Sequence, residues 1–152
     1  MAGNQENSGY GFGTTLAVPF DEAIERTTEA LKAEGFGVLT TIDVRQTLKE
    51  KLDIDFAPYL ILGACNPHLA HRALLAEREL GLLLPCNVIV HEHAGMSVVS
   101  VVDPAQMLGV VGDNPELRAV AAEAGERLRR VVAALGGTTE EPPPASRNDA
   151  RA

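Results

Sequence analysis

Tryptophan is absent and aromatic residues make up only 4% of the 152-residue chain. A core built on large rings is therefore excluded, and an aliphatic one is expected. Lysine occurs three times and the formal net charge is −8. Proteins that grip phosphate backbones carry a basic face, so no nucleic-acid partner is expected, and no attachment to an anionic membrane surface. The densest basic run, Arg127, Arg129 and Arg130, is spread around a helix axis by its spacing. Two cysteines do not make a secreted disulfide scaffold. The longest apolar stretches, Pro58–Ala64 and Gly81–Pro85, fall far short of the ~20 residues that span a bilayer. Residues 1–7 have neither a basic region nor an apolar run behind it, so they do not read as a signal peptide. A reducing cytoplasm is the expected setting. No phosphate loop, Gly-x-Ser-x-Gly or zinc-protease motif occurs, so the common motif-bearing enzyme classes have no foothold.

What is present is ordinary for a soluble domain: 45% hydrophobic and 22% charged residues. The length suits one domain with a core of its own. Residues 1–9 are polar and are expected to be flexible. Residues 136–152, rich in Gly, Thr, Glu and Pro, have almost nothing to bury and are expected to be a disordered tail. Residues 10–135 remain as a single α+β domain.

Within it, Phe12, Thr14, Leu16 and Val18 alternate as in a strand. Phe20, Ile24, Thr27 and Leu31 then line one face of a helix that Gly35 stops. Gly37–Ile42 reads as a second strand, and Asp43 caps a helix to Leu52, with Gln46 at the capping-box position. Pro58–Cys65, continuously apolar, predicts an interior strand. Asn66-Pro67 predicts a helix start that runs toward Leu80. Leu82–Glu92 and Met96–Asp103 flank His93-Ala94-Gly95 as a hairpin. Pro104–Val111 holds a short helical turn, and Asn114-Pro115 opens a long amphipathic helix. The order β-α-β-α-β-α-β-β-α predicts a two-layer sandwich: a mixed β-sheet with helices packed mainly on one face. A Rossmann fold lacks its Gly-rich loop after the first strand.

Chemistry concentrates around the cysteines. Cys65 ends a strand just before a helix N-terminus, where free amides and the helix dipole favour a thiolate. Cys86 follows Pro85 near the start of the fourth strand. If strands three and four are neighbours, the two sulfurs converge. Packing, ligand binding and thiol chemistry all remain open for them, because free cysteine is among the most buried residue types. His68 and His71 stand at i, i+3 on the helix after Cys65. A Cys65–His68–His71–Cys86 set would suit a transition metal or haem iron, although its spacing is no established zinc signature. Asn66 and Asn87 each follow a cysteine and complete a candidate ligand-binding set of Cys65, Asn66, Cys86 and Asn87. Asn66 is also accounted for by capping alone, and Asn87 points opposite to Cys86 in the pleat. His91 and His93 share one side of the hairpin and are expected to be solvated at its tip. Asp43, Asp53 and Asp55 lack a calcium-loop pattern, and Tyr10 and Tyr59 are expected to pack.

Gly35–Val44 with Thr47–Leu52, Tyr59–Pro67, Gly81–Val88, Asp103-Pro104 and Met107-Leu108 together resemble the domain-of-unknown-function family numbered 302 (DUF302). The resemblance covers about residues 10–135. It implies a small bacterial or archaeal α+β domain, often dimeric, and supplies no activity. His68 and His71 depart from the family's pattern. Three functions follow as expectations. The first is a binding module for a small ligand, metal or haem around Cys65 and Cys86, at a homodimer interface if one forms there. The second is a thiol enzyme or redox protein with Cys65 as the reactive thiolate. The third is a structural dimerisation domain with packing cysteines.

Overall fold

The computed structural model describes residues 9–136. The expected loose ends, 1–9 and 136–152, lie outside the described residues but for Gly9 and Gly136. The chain forms β1 (Gly11–Leu16), α1 (Phe20–Ala33), β2 (Gly37–Asp43), α2 (Val44–Leu52), β3 (Tyr59–Cys65) and α3 (Pro67–Ala76). A 3₁₀ stretch (Arg78–Leu83) follows, then β4 (Cys86–His93), β5 (Met96–Val102), α4 (Pro104–Leu108), a 3₁₀ turn (Gly109–Val111) and α5 (Pro115–Ala134).

Helix starts are set by short polar side chains that satisfy otherwise free amides. Asp43 Oδ1 accepts from Gln46 N at 2.9 Å, Asn66 Oδ1 from Leu69 N at 3.2 Å, and Asp103 Oδ1 from Ala105 N at 3.0 Å. Asn114 Oδ1 takes two amides, those of Glu116 and Leu117. Such caps are worth about 1 kcal/mol each relative to alanine. The capping box at α2 is only half made, because the Gln46 side chain turns to Glu50 instead. At the end of α1, Gly35 takes φ +86°, a left-handed conformation that a side chain would strain.

The sheet order is β1-β5-β4-β3-β2, and all four pairings are antiparallel. The α+β class holds, but the mixed sheet expected from helices between strands does not. The reason lies in where each helix returns the chain. Asp43 at the end of β2 pairs with Leu60 at the start of β3, and Ala64 near the end of β3 pairs with Cys86 at the start of β4. α2 and α3 are therefore excursions that re-enter at the same end of the sheet. A parallel pair would need the helix to cross the sheet's full length. β4 also begins four residues later than the pattern suggested. Leu80 is anchored at 1% exposure within the 3₁₀ stretch, and Pro85 lacks the amide a ladder needs.

In register across the sheet, Phe12, Val101, Val88 and Leu62 lie side by side and are all buried. That face packs against Ala23, Thr27 and Leu31 of α1 and the long inner stripe of α5 in one core. The expected inner residues of α5 from Leu117 to Leu135 are buried as the 3.6-residue period requires. The Arg127–Arg130 cluster is used internally. Arg127 donates to Glu34 O and Glu123, Arg130 pairs with Glu34, and Arg129 lies 4.5 Å over the Phe12 ring. The β2 edge differs from the rest: no side chain of β2 or α2 is buried. Leu39, Ile42, Leu52 and Ile54 stand between 46% and 67% exposed.

Candidate functional site

The ends of β3 and β4 meet α3, α4 and α5 around a cavity of about 320 Å³. Its wall is almost entirely hydrocarbon. α3 contributes Leu69, Ala70 and Ala73, α4 contributes Met107 and Leu108, and α5 contributes Val120 and Ala124. The space exists because Ala70, Ala73 and Ala124 are small where two helices face each other, and larger side chains there would close it. Leu39 and Leu74 also line it and are exposed, so they mark its mouth.

Cys65, Asn66 and Cys86 all lie in this wall. The pairing of Ala64 with Cys86 sets the end of β3 beside the start of β4, and both cysteines reach one wall there. Both thiols are free. Burial pushes the Cys65 thiol above its ordinary range. Cys86 is pushed up to about 11, first by burial and then by the nearby Cys65. This runs against the expectation of a helix-activated thiolate at Cys65. The N-cap position belongs to Asn66, whose Oδ1 holds the Leu69 amide, and Cys65 is left in an apolar wall that disfavours charge.

The remaining candidates fall outside the cavity. Asn87 is exposed, as its pleat required, so the expected set of four becomes Cys65, Asn66 and Cys86. His68 and His71 share a face of α3, but both are exposed while Leu69 and Ala73 turn inward. The Cys65–His68–His71–Cys86 metal set is consequently not assembled, and among the described residues no group of three or more His, Cys, Asp or Glu is placed to hold a metal ion. His91 is not the solvated residue expected at a hairpin tip. It is half-buried and stacks on Tyr59, ring centres 5.1 Å apart, because β3–β4 register sets the two directly opposite. A second, broader depression along α1 is lined by Asp21, Glu22, Glu25 and Glu29 and contains neither cysteine.

The model of the domain of unknown function DUF302 matches residues 12–135. The chain belongs to this family. A crystal structure of an uncharacterised conserved DUF302 protein from Bacillus stearothermophilus is similar to it, with a TM-score of 0.78 and 33% sequence identity over 84% of this chain and 99% of that one. No curated protein matches the chain. The DUF302 match spans every residue that lines the cavity, from Phe36 to Ala124. Reasoning from sequence found the two cysteines and Asn66 of this DUF302 chain but missed Phe36, Met107, Val120 and Ala124 in the same wall. The signal was present as alanines on the inner stripes of two helices. Among the described residues, no helix is long and apolar enough to cross a membrane.

Proposed function

We propose that this DUF302 domain is a binding module for a small apolar molecule, held in the cavity beside Cys65, Asn66 and Cys86. The supporting observation is the cavity itself: about 320 Å³, lined by aliphatic side chains and the Phe36 ring, with Cys65, Asn66 and Cys86 in its wall. Small-molecule sites are typically concave and apolar with a few placed polar groups, and this volume stands at the low end of their range. The metal and haem forms of the expectation drop out of this reading, since the two histidines they need face away. The thiol-enzyme form is disfavoured by thiols that burial keeps protonated.

The test uses methylenecyclohexane as a hydrocarbon probe in thermal unfolding. Anything that binds only the folded state stabilises it by mass action, about 1.4 kcal/mol at ten times Kd, which raises Tm by several degrees for a domain of this size. Ala70→Trp places a ring in the cavity from a half-buried position on α3. The wild type is expected to gain Tm with the probe and the variant to gain none. Equal gains in both proteins would place binding elsewhere and contradict the proposal.

A homodimer, implied by the family resemblance, finds support in the uncovered β2 edge. An edge strand, paired only with β3 and carrying Leu39 and Ile42 next to Leu52 and Ile54, is a surface that proteins ordinarily cover or charge. Light scattering across a dilution series reads this directly: a dimer mass at micromolar concentration is expected, and 16.1 kDa throughout would exclude it.

A further inference from the structure

The cavity offers its occupant hydrocarbon and little else. No acidic or basic side chain lines it. Its one side-chain amide is engaged elsewhere. Asn66 Oδ1 holds the Leu69 N–H at 3.2 Å, and Nδ2 lies against Gly35, where a Cβ would stand 2.9 Å from it. Gly35 is not part of the wall. The two thiols are weak hydrogen-bonding groups. A polar group carried inside would give up its water without finding a partner, and an ion would do so at far greater cost. The part of a ligand that enters is therefore plain hydrocarbon.

The mouth supplies the second constraint. Val38 pairs with Ala64 and Thr40 with Gly63, so Leu39 is an extra residue, a bulge in the β2 edge. Val38 packs against the core. In an unbroken pleat Leu39 would point to the opposite face of the sheet. It lines the cavity instead, and bulges often re-aim a side chain in this way beside a functional site. Leu39 is 67% exposed and Leu74 of α3 is 37% exposed. The hydrocarbon wall thus continues through the opening into water on two leucines. An occupant sealed within would leave both of them wet. One that runs out past them covers them, and exposed apolar surface joined to a pocket is a mark of ligand grooves.

We infer that the cavity takes the alkyl tail of a single-chain amphiphile, whose polar head stays in water beyond Leu39 and Leu74. This rests on the binding-module reading and narrows it to a ligand class. A space of about 320 Å³ holds a tail of roughly ten carbons. A double-chained lipid would leave its second chain in water. Each methylene that enters adds the same increment, about fourfold in affinity, until the space is full. The two leucines set where the tail leaves, and no charged side chain in the wall selects the head.

The experiment titrates the protein calorimetrically with hexyl, octyl, decyl and dodecyl maltoside, each below its critical micelle concentration. The maltose head is too large and too polar to enter, so binding reports the tail alone. Affinity is expected to rise about fourfold per carbon from hexyl to decyl. From decyl to dodecyl it should gain less than about fourfold in total, because the space is then full. Leu39→Asp sets a charge where the tail leaves, on a side chain already exposed, and should weaken decyl maltoside about tenfold. Val110→Asp is the control, an apolar residue 74% exposed and outside the wall. Its affinity should stay within about twofold of the wild type. Affinity that ignores chain length, a rise undiminished at dodecyl, or equal losses in the two variants would place the detergent on the outer surface and overturn the ligand class. Capture of the protein by phosphatidylcholine vesicles would assign the tail to a membrane lipid and overturn it too. Should Leu39→Asp fail to fold, the chain-length profile decides alone. Binding of methylenecyclohexane but of no maltoside overturns the class and leaves the cavity reading standing. Binding of neither overturns both.

Discussion

Leu128→Ala is expected to destabilise the domain by about 3–4 kcal/mol and to lower Tm by roughly 10 °C. Leu128 is fully buried near the middle of α5, within the same core as Leu31 of α1 and the β4–β5 valines. Removing its branched end deletes the transfer energy of three carbons and leaves a void. The sheet on one side and the neighbouring α5 residues Val131 and Val132, also fully buried, leave little room for collapse. Such a loss is a large share of the 5–15 kcal/mol that holds a domain together. Leu75→Ala is the matched control. It deletes the same atoms from a residue 75% exposed on α3, and should cost well under 1 kcal/mol. Urea unfolding of both variants measures the contrast. Equal, small losses would mean that α5 is not the lid of the core.

The second large effect is a fall in stability at alkaline pH that is tied to Cys86. In the folded protein its pKa is raised from an ordinary 9.0 to about 11. A group whose pKa is raised on folding contributes its stability below the unfolded value and loses it as pH climbs through the folded value. Below pH 9 both states hold the proton and stability is unaffected. Between pH 9 and 11 the unfolded chain releases it while the native state does not, so unfolding becomes progressively easier. A rise of two pH units corresponds to about 2–3 kcal/mol. Cys86→Ala removes this component, and the difference between its pH profile and that of the wild type isolates it from other alkaline titrations. Alkylation supplies an independent reading. At pH 8 Cys86 is expected to react at least about tenfold more slowly than an ordinary thiol, because its smaller thiolate fraction outweighs the greater nucleophilicity of a more basic sulfur. Parallel profiles, or rapid modification of Cys86 at pH 8, would show that the thiol is neither buried nor held neutral.

Much of the fold could be read from local chemistry. Asn66-Pro67, Asn114-Pro115 and Asp43 announced helix starts that the structure realises through side-chain oxygens. The apolar stripe from Leu117 to Leu135 faced inward as its period required. Strand direction was less legible. A helix between two strands suggests a crossover, yet α2 and α3 return to the sheet end they left, and only the register of Asp43 with Leu60 and Ala64 with Cys86 reveals it. The meeting of Cys65 and Cys86 was legible because both sit at strand ends on either side of one excursion. The fate of the histidines was not. Two residues at i, i+3 share a face, but which face turns inward was decided by Leu69 and Ala73. His91 likewise owed its stacking to a partner 32 positions away in the chain, Tyr59. The cavity itself was invisible to motif reading, because it is made by what alanine leaves unfilled at Ala70, Ala73 and Ala124 rather than by any reactive group.

The central claim is that this hollow is an occupied site in solution, and methyl NMR locates an occupant directly. With ¹³C-labelled methyl groups and increasing methylenecyclohexane, saturable shifts are expected at Leu69, Met107, Leu108 and Val120, with Leu52 and Ile54 of the β2–α2 edge unmoved. Unchanged cavity methyls at saturating probe, or shifts confined to the exposed edge, would contradict the account.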